Sequence, residues 1–580
     1  MKKKILVGAA VLAVLAAVIL TGVLVVSKYL VGGEKRTRDK WEIETGTYTF
    51  TDDEINVQMY RQPVEASIQV AQILPGEYEQ EGFTYYDEEV QQRLAQSLMT
   101  MMDRGGFTME EPLAVLNPFG TGSNGLYLYF TTDYNCQIRY TVTTDDESIP
   151  AYTATANSAQ EYGKVQEFLL IGLVAGQENQ VTLEAVNKQG EVKESFTFTI
   201  QMPATTSGHA NRLEATEGES TAEMSEGLFY AMGLSDYYGY TFFFDNDGIL
   251  RYEMLLDGYH SDRILSLGDQ ILACVGSNKI ARISRIGQVL QVYDLGRFEL
   301  HHDFNWGPDG ELVALATNTE SETVEDQLIA IDMDTGEVTL LVDFSALMND
   351  YFVTTEKVSA NSSFFWQAGL WDWLHLNSVQ YLEEEDAVVV SSRESSTIIK
   401  VKNVHEEPAI DWMIGDEAFW EGTGYEQYSL TKEGDFTPQY GQHDVTVIYD
   451  DSLPEGQYYL RMFDNNYWAN STRTGYTPSL PDSVGQALTE DASIVSHVYY
   501  YLVDENAGTF RLAWSFDVPY SSVVSNAQLL EGGNYVVNSG VPQVYGEYDS
   551  EGNLIRQFQY HSMMNGYRVM KDDFVGYWFR

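Results

Sequence analysis

Four short stretches of the chain set histidine or arginine beside other polar groups: Leu300-His301-His302-Asp303, Asp372-Trp373-Leu374-His375-Leu376-Asn377-Ser378, Ser391-Ser392-Arg393 and Gly441-Gln442-His443-Asp444. Only nine histidines occur in 580 residues, so their placement is informative. Near neutral pH an imidazole can act as nucleophile, general acid or base, or metal ligand. His375 and Asn377 lie two apart and share a face if the chain is extended there. Arg393 closes the apolar run Ala387 to Val390 and brings a fixed charge. Singly, each piece is ordinary. A histidine ahead of a strand is usually satisfied by structural hydrogen bonds, and an arginine at a strand end usually reaches solvent. His302, His375, His443 and the neighbouring aspartates could ligate a metal, but Arg393 in the same set argues against a cation. The pieces gain meaning only if the fold gathers them.

From Gly227 onward the sequence supplies elements able to do that. Apolar strands alternate with turn signals, among them Asn246-Asp247-Gly248, Pro308-Asp309-Gly310, Asp334-Thr335-Gly336 and Ser550-Glu551-Gly552. Gly533, Gly310 and Gly268 can be laid on one frame. Repeated four-stranded units of about 40–50 residues mark a β-propeller, and 227–580 is long enough for six blades. In that frame His302, His260 and Ser525 each stand eight residues before their glycine. Equivalent positions of different blades gather around the central channel, so the frame predicts a ring of polar residues around one axis.

Ahead of the propeller, residues 46–203 read as a small β-sandwich, with short strands at Gly125 to Thr131, Cys136 to Val142, Glu167 to Gly172, Gln180 to Val186 and Glu194 to Ile200. The turn Asn187 to Gly190 joins the last two strands as a hairpin. One helix is expected over Asp87 to Arg104, where Val90, Leu94, Leu98 and Met101 recur at helical spacing. The polar stretch 204–226 reads as a linker. At the N-terminus Met1-Lys-Lys-Lys4 precedes the uncharged run Ile5 to Val26. That run is long enough to span a bilayer core, so residues 1–27 are expected to be a transmembrane anchor and 28–45 its stalk. The single-pass helix would leave the soluble body on the extracytoplasmic side of the cell membrane. The fold class is therefore all-β: a six-bladed propeller behind a small sandwich and an N-terminal transmembrane helix.

The charge narrows the partners. Thirty-four basic against 86 acidic residues give −52, which repels phosphate backbones and makes nucleic acid an unsuitable partner. Two cysteines, Cys136 and Cys274, exclude by number both a disulfide framework and a cysteine zinc site. Gly120-Thr-Gly122-Ser-Asn-Gly125 fits a dinucleotide fingerprint in letters, but it runs into a strand and fails the structural context that motif requires.

Taken in order, His301-His302-Asp303, DWLHLNS, SSR and Gln442-His443-Asp444 resemble the motifs of the bacterial arylsulfate sulfotransferases. Val115-Leu-Asn-Pro-Phe-Gly120 and the strand after it are similar to that family's N-terminal domain, so the resemblance spans most of 45–580. It implies a six-bladed propeller and transfer of a sulfuryl group from an aryl sulfate to a phenol, with no cofactor or nucleotide donor, through a sulfated histidine. Carried over, His443 is the nucleophile, and His302, His375, Asn377 and Arg393 surround the sulfuryl group. His301 is the alternative to His302, and Ser525 is the candidate for a further hydroxyl. Arg393 and Asn377 would hold the sulfuryl oxygens, while His375 or His302 would protonate the departing phenolate and later deprotonate the acceptor. A non-catalytic cell-surface propeller that binds a ligand or partner is the alternative, with a quinone- or metal-dependent propeller enzyme third.

Overall fold

The computed structural model describes residues 48–50, 57–75, 83–488 and 493–580. The expected anchor and stalk lie outside the described residues. Among the described residues no helix is long and apolar enough to cross a membrane.

Strand pairing separates the described chain into one nine-stranded sheet and six sheets of four or five strands. The nine-stranded sheet is the N-terminal domain. Its backbone is one long strand, Leu126–Thr144, where the sequence suggests two. The first half pairs with Leu113–Leu116 and Gly163–Leu170, and the second with Tyr152–Thr155 and Glu178–Val186. Register breaks between Thr131 and Cys136, so a single strand turns the corner between two faces. The polar residues at that corner are what made it look like a gap. Helix Glu88–Met102 is capped by the Asp87 carboxylate, which accepts the amides of Glu89 and Val90, and it buries Val90, Leu94, Leu98 and Met101 as its spacing predicts.

The six smaller sheets are propeller blades. In blades two, three and four the strands follow one another outward from the axis: Ile264–Leu267 to Val289–Asp294, Phe298–Trp306 to Val338–Asp343 and Leu376–Leu382 to Ala409–Ile414. Blade five begins on His443–Ile448 and blade six on Asn526–Leu529. The circle is closed twice. Gly566–Asp572 pairs antiparallel with Leu228–Leu234 and becomes the innermost strand of the first blade. Glu214–Glu217 pairs with Leu554–Gln559 and becomes the outermost strand of the sixth. The polar stretch 204–226 is therefore not simply a linker. All four residues of that strand are exposed, so backbone bonds hold it and it has no apolar signature to read.

The core lies between blades. Val313, Leu315, Val388, Ile399, Trp373 and Trp420 fill one such layer, and Trp412, Val445, Leu460 and Tyr501 fill the next. At the axis the inner strands are laced by side chains. The Val379 amide donates to Asp303 Oδ2 at 3.0 Å, Val445 to Ser378 Oγ at 3.1 Å, Ala527 to Asp444 Oδ2 at 3.1 Å and Val569 to Asn526 Oδ1 at 2.9 Å. Each bond runs from one blade to the next. At the two remaining joints Arg263 Nε reaches Asp303 Oδ1 at 2.6 Å and Arg568 Nη1 donates to the Asp262 carbonyl at 3.0 Å; Arg568 Nη1 also reaches Asp303 Oδ1 at 3.0 Å, with Asp444 Oδ1 3.8 and 3.7 Å from the same two guanidinium groups.

Candidate active site

The lacing defines the ring that the sequence frame sought. Immediately ahead of Asp303, Ser378, Asp444 and Asn526 stand His302, Asn377, His443 and Ser525. By the same count Tyr567 precedes Arg568 and Asp262 precedes Arg263. The ring is thus Asp262, His302, Asn377, His443, Ser525 and Tyr567, one residue per blade. His260, which the sequence frame set beside His302, lies two residues earlier. The inner strands are irregular just here, with register breaks between Leu300 and Phe304, Leu376 and Ser378, and His443 and Thr446. His302, His375, Asp444 and Ser525 have φ of 63°, 50°, 54° and 89°, a region non-glycine residues seldom occupy. Bulges of this kind re-aim side chains, and strain of this kind collects at functional sites.

His443 opens its strand and is 2% exposed. Its Nδ1 lies 2.7 Å from Asn465 Oδ1 and 3.0 Å from the Gly441 carbonyl. Asn465 is itself fixed, because its Nδ2 donates to the Ser521 and Val524 carbonyls. Two acceptors at Nδ1 require the proton there, which leaves the lone pair on Nε2. Burial dominates the titration and pulls His443 down to about 3, against the Asn465 bond. The ring is a neutral imidazole throughout the physiological range.

His375 carries the most crowded imidazole. Nδ1 is 2.5 Å from Glu325 Oε2 and 2.8 Å from Asp372 Oδ2, and Nε2 lies 3.0 Å from Arg393 Nη1. Burial and the Arg393 charge work to lower its pKa, but Asp372 and Glu325 together outweigh them and push it up to about 9. Burial would raise the Glu325 carboxyl, yet His375 and His302 hold it well below the usual range. Arg393 is buried; it reaches Asp372 at 3.3 Å, lies over the Phe364 ring at 4.2 Å and has its Nε without a partner.

His302 packs its ring 4.7 Å from that of His375, and its Nδ1 meets His301 Nδ1 at 3.0 Å. Burial holds both His301 and His302 below the ordinary imidazole range, His302 the further. Asn377 donates to the Gln442 carbonyl at 2.8 Å, beside His443, and its Oδ1 is buried without a partner. Ser525 turns its hydroxyl into its own loop, bonding Ser521 Oγ at 2.9 Å. The fold therefore brings His302, His375, Asn377, Arg393 and His443 around one end of the channel, with His301 packed against His302. Ser525 is on the ring but points elsewhere.

A cavity of about 230 Å³ opens onto this end, lined by His301, His302, Glu325 and His375 on one wall and by Tyr238, Tyr259, His260 and Tyr567 on the other. His443 does not line it. Two donor groups, His301–His302–Glu325 and Glu325–Asp372–His375, bring ligand atoms within 4.8 Å of one another and could hold a metal ion. Arg393 already supplies positive charge to the second of them.

Sequence reasoning missed Glu325, Asn465, Tyr567 and the ring position of Asp262. Asp372 lies inside a quoted motif but had no role. None of the others sits in a recognisable pattern; Asn465 and Tyr567 become visible only through the inner-strand register.

A propeller with a histidine-rich channel end and an immunoglobulin-like domain before it defines a class. The family model for Arylsulfotransferase (ASST) matches residues 214–568, and that for the Arylsulfotransferase Ig-like domain matches 113–203. The chain belongs to the arylsulfotransferase family and is a sulfotransferase by that membership. No curated protein matches the chain. Among solved structures, a protein of unknown function from Bacteroides caccae aligns at 10% identity over 60% of this chain and 99% of its own, with a TM-score of 0.33. The WD40 domain of Toxoplasma gondii coronin aligns at 9% identity over 60% and 76%, with a TM-score of 0.30. Scores this low carry no argument.

Proposed function

We propose that this chain moves the sulfuryl group of an aryl sulfate ester to a phenolic acceptor in two steps, through a sulfated His443. The observation that carries the reading is the fixed tautomer of His443. With Nδ1–H held by Asn465 and Gly441, Nε2 offers a lone pair and needs no base to activate it. Nε2 attacks sulfur, the S–O(aryl) bond breaks and the phenolate leaves with its electron pair. His443 becomes positively charged, and the two acceptors at Nδ1 stabilise that charge. The unpartnered Arg393 Nε, the Arg393 charge and the His302 ring supply fixed electrostatic partners for the sulfuryl oxygens. The buried His375 has two carboxylates behind it, and one of them, Asp372, also accepts from Arg393 Nη2 at 3.3 Å. A phenol then enters the vacated pocket and the steps run in reverse, which gives ping-pong kinetics.

We place the body on the extracytoplasmic side, tethered by the apolar run 5–26, where aryl sulfates arrive without a nucleotide donor. Protease digestion of intact cells tests that placement; protection of the body from protease would reverse it. The chemistry is tested by incubating the purified chain with 4-nitrophenyl sulfate and no acceptor, then analysing peptides by mass spectrometry. One sulfuryl group on the His443 peptide is expected, and His443→Ala should abolish both adduct and turnover. An adduct elsewhere, or turnover in the variant, would overturn the assignment.

A further inference from the structure

The proposed reaction needs a group that gives a proton to the departing phenolate and takes one from the incoming phenol. Neither histidine favoured by the sequence is placed for it. Both nitrogens of His375 are engaged, Nδ1 by Glu325 and Asp372 and Nε2 by Arg393. His302 has no close carboxylate behind it: its Nδ1 faces another imidazole, with Glu325 3.9 Å away. Burial and the neighbouring His375 and His301 keep its proton affinity low, against the pull of Glu325.

The opposite wall of the cavity holds a third imidazole. His260 Nδ1 lies 3.0 Å from Asp262 Oδ1, within ion-pair distance but out of hydrogen-bond alignment, and both atoms are buried without a hydrogen-bond partner. Among the described residues nothing hydrogen-bonds His260 Nε2. Tyr259 stacks on the His260 ring at 4.2 Å, and Tyr238, 56% exposed at the rim, lies 5.4 Å from it. Tyr567 bridges the walls, 6.4 Å from His260 and 5.4 Å from His302. Gly233 lets Tyr567 sit there, since a Cβ at Gly233 would meet Tyr567 Cβ at 2.6 Å. The wall is therefore an aromatic slot that faces His302 and His375 across the cavity. One imidazole faces into it, backed at Nδ1 by a carboxylate and uncommitted at Nε2, as proton-transfer histidines are.

We infer that His260, oriented by Asp262, is the proton-transfer residue for the aryl oxygen. This inference rests on the proposed function. In the first step the S–O(aryl) bond breaks and the proton on His260 Nε2 passes to the phenolate oxygen. In the second, the acceptor oxygen bonds sulfur, the N–S bond returns its pair to His443 Nε2, and the phenol proton goes to His260 Nε2. Protons balance over the cycle, and no co-reactant is needed. His260 is catalytic in this scheme and Asp262 is a positioning residue.

The test uses the full chain, wild type and His260→Gln, with donors of graded leaving-group acidity. Wild type should give a nitrophenol burst from 4-nitrophenyl sulfate and transfer from 4-methylphenyl sulfate. In His260→Gln the burst should hold within about threefold, because nitrophenolate leaves without a proton. Transfer from the methylphenyl ester should fall by about a hundredfold or more, the usual worth of general acid–base catalysis. The retained burst shows that the variant is folded. Asp262→Asn should give the same dependence on leaving group in milder form. An equal loss for both donors, or no loss for either, would overturn the inference while leaving the sulfated-His443 reading intact. A wild-type chain that shows neither burst nor transfer would overturn both.

Discussion

Asn465→Ala isolates the element that makes His443 a nucleophile. The side chain contributes one acceptor at 2.7 Å to His443 Nδ1 and two donors, at 2.8 and 2.9 Å, to the Ser521 and Val524 carbonyls. In the resting protein the first bond joins neutral partners, worth about 0.5–1.5 kcal/mol; once His443 is sulfated it joins a charged one, worth about 1.5–3 kcal/mol. The difference, roughly 1–1.5 kcal/mol, is transition-state stabilisation and predicts a fall of about tenfold in the rate of the first step. Loss of the fixed tautomer adds to this, because the Gly441 carbonyl at 3.0 Å is then the sole acceptor at Nδ1. The expected total is a fall of about 10- to 100-fold in the burst rate of nitrophenol release. The two orphaned carbonyls predict a separate stability loss of about 1–3 kcal/mol in urea unfolding. Rapid-mix kinetics at saturating donor reads the first effect without the second. An unchanged burst rate in folded variant, or a loss confined to KM, would refute the tautomer argument.

Two further outcomes follow from the charges at the channel. Asp303→Asn removes a carboxylate that is 1% exposed, as is its partner Arg568, and leaves two arginines facing Asp444 alone. Breaking a buried pair from one side costs about 3–5 kcal/mol, so urea unfolding should lose about that much, and a loss below about 1 kcal/mol would show the quartet to be redundant. The pH dependence of Tm should carry both imidazoles with opposite sign. His375, raised to about 9, contributes stability that is complete below the unfolded value of about 6.5 and is lost as pH rises through about 9. His443, lowered to about 3, imposes a cost that is absent above about 6.5 and grows as pH falls toward 3. His375→Gln should flatten the alkaline limb and His443→Gln the acid limb; an unchanged slope in either variant would refute that assignment.

Which parts of this arrangement could be read from the sequence follows from how each is encoded. Blade strands such as Ala387–Ser392 announce themselves by β-branched runs between turns. The outer closing strand Glu214–Glu217 does not, because backbone bonds and one surface ion pair, Glu217 to Arg556 at 2.7 Å, hold it and its four residues are all exposed. The site divides the same way. His302 and His443 were legible because each precedes an aspartate whose side chain laces its blade to a neighbour or to the ionic floor, so one His-Asp pair serves both channel and frame. At Asn377, Ser525, Tyr567 and Asp262 the same ring position carries other chemistry, followed by Ser378, Asn526, Arg568 and Arg263. The pattern is one of geometry, not of residue type. The eight-residue offset to a turn glycine found Ser525 but chose His260 over Asp262, since in that blade the offset from inner strand to turn is two residues shorter. That miss is consistent with the pairing at the site: the residue the offset selected and the residue the ring selects are the two members of the His260–Asp262 pair. A propeller holds its ring by the inner-strand lacing and leaves the residues just ahead of it free to vary. A site that needs an imidazole reaching away from the axis can therefore draw it from two positions upstream and keep the ring position for the carboxylate that orients it.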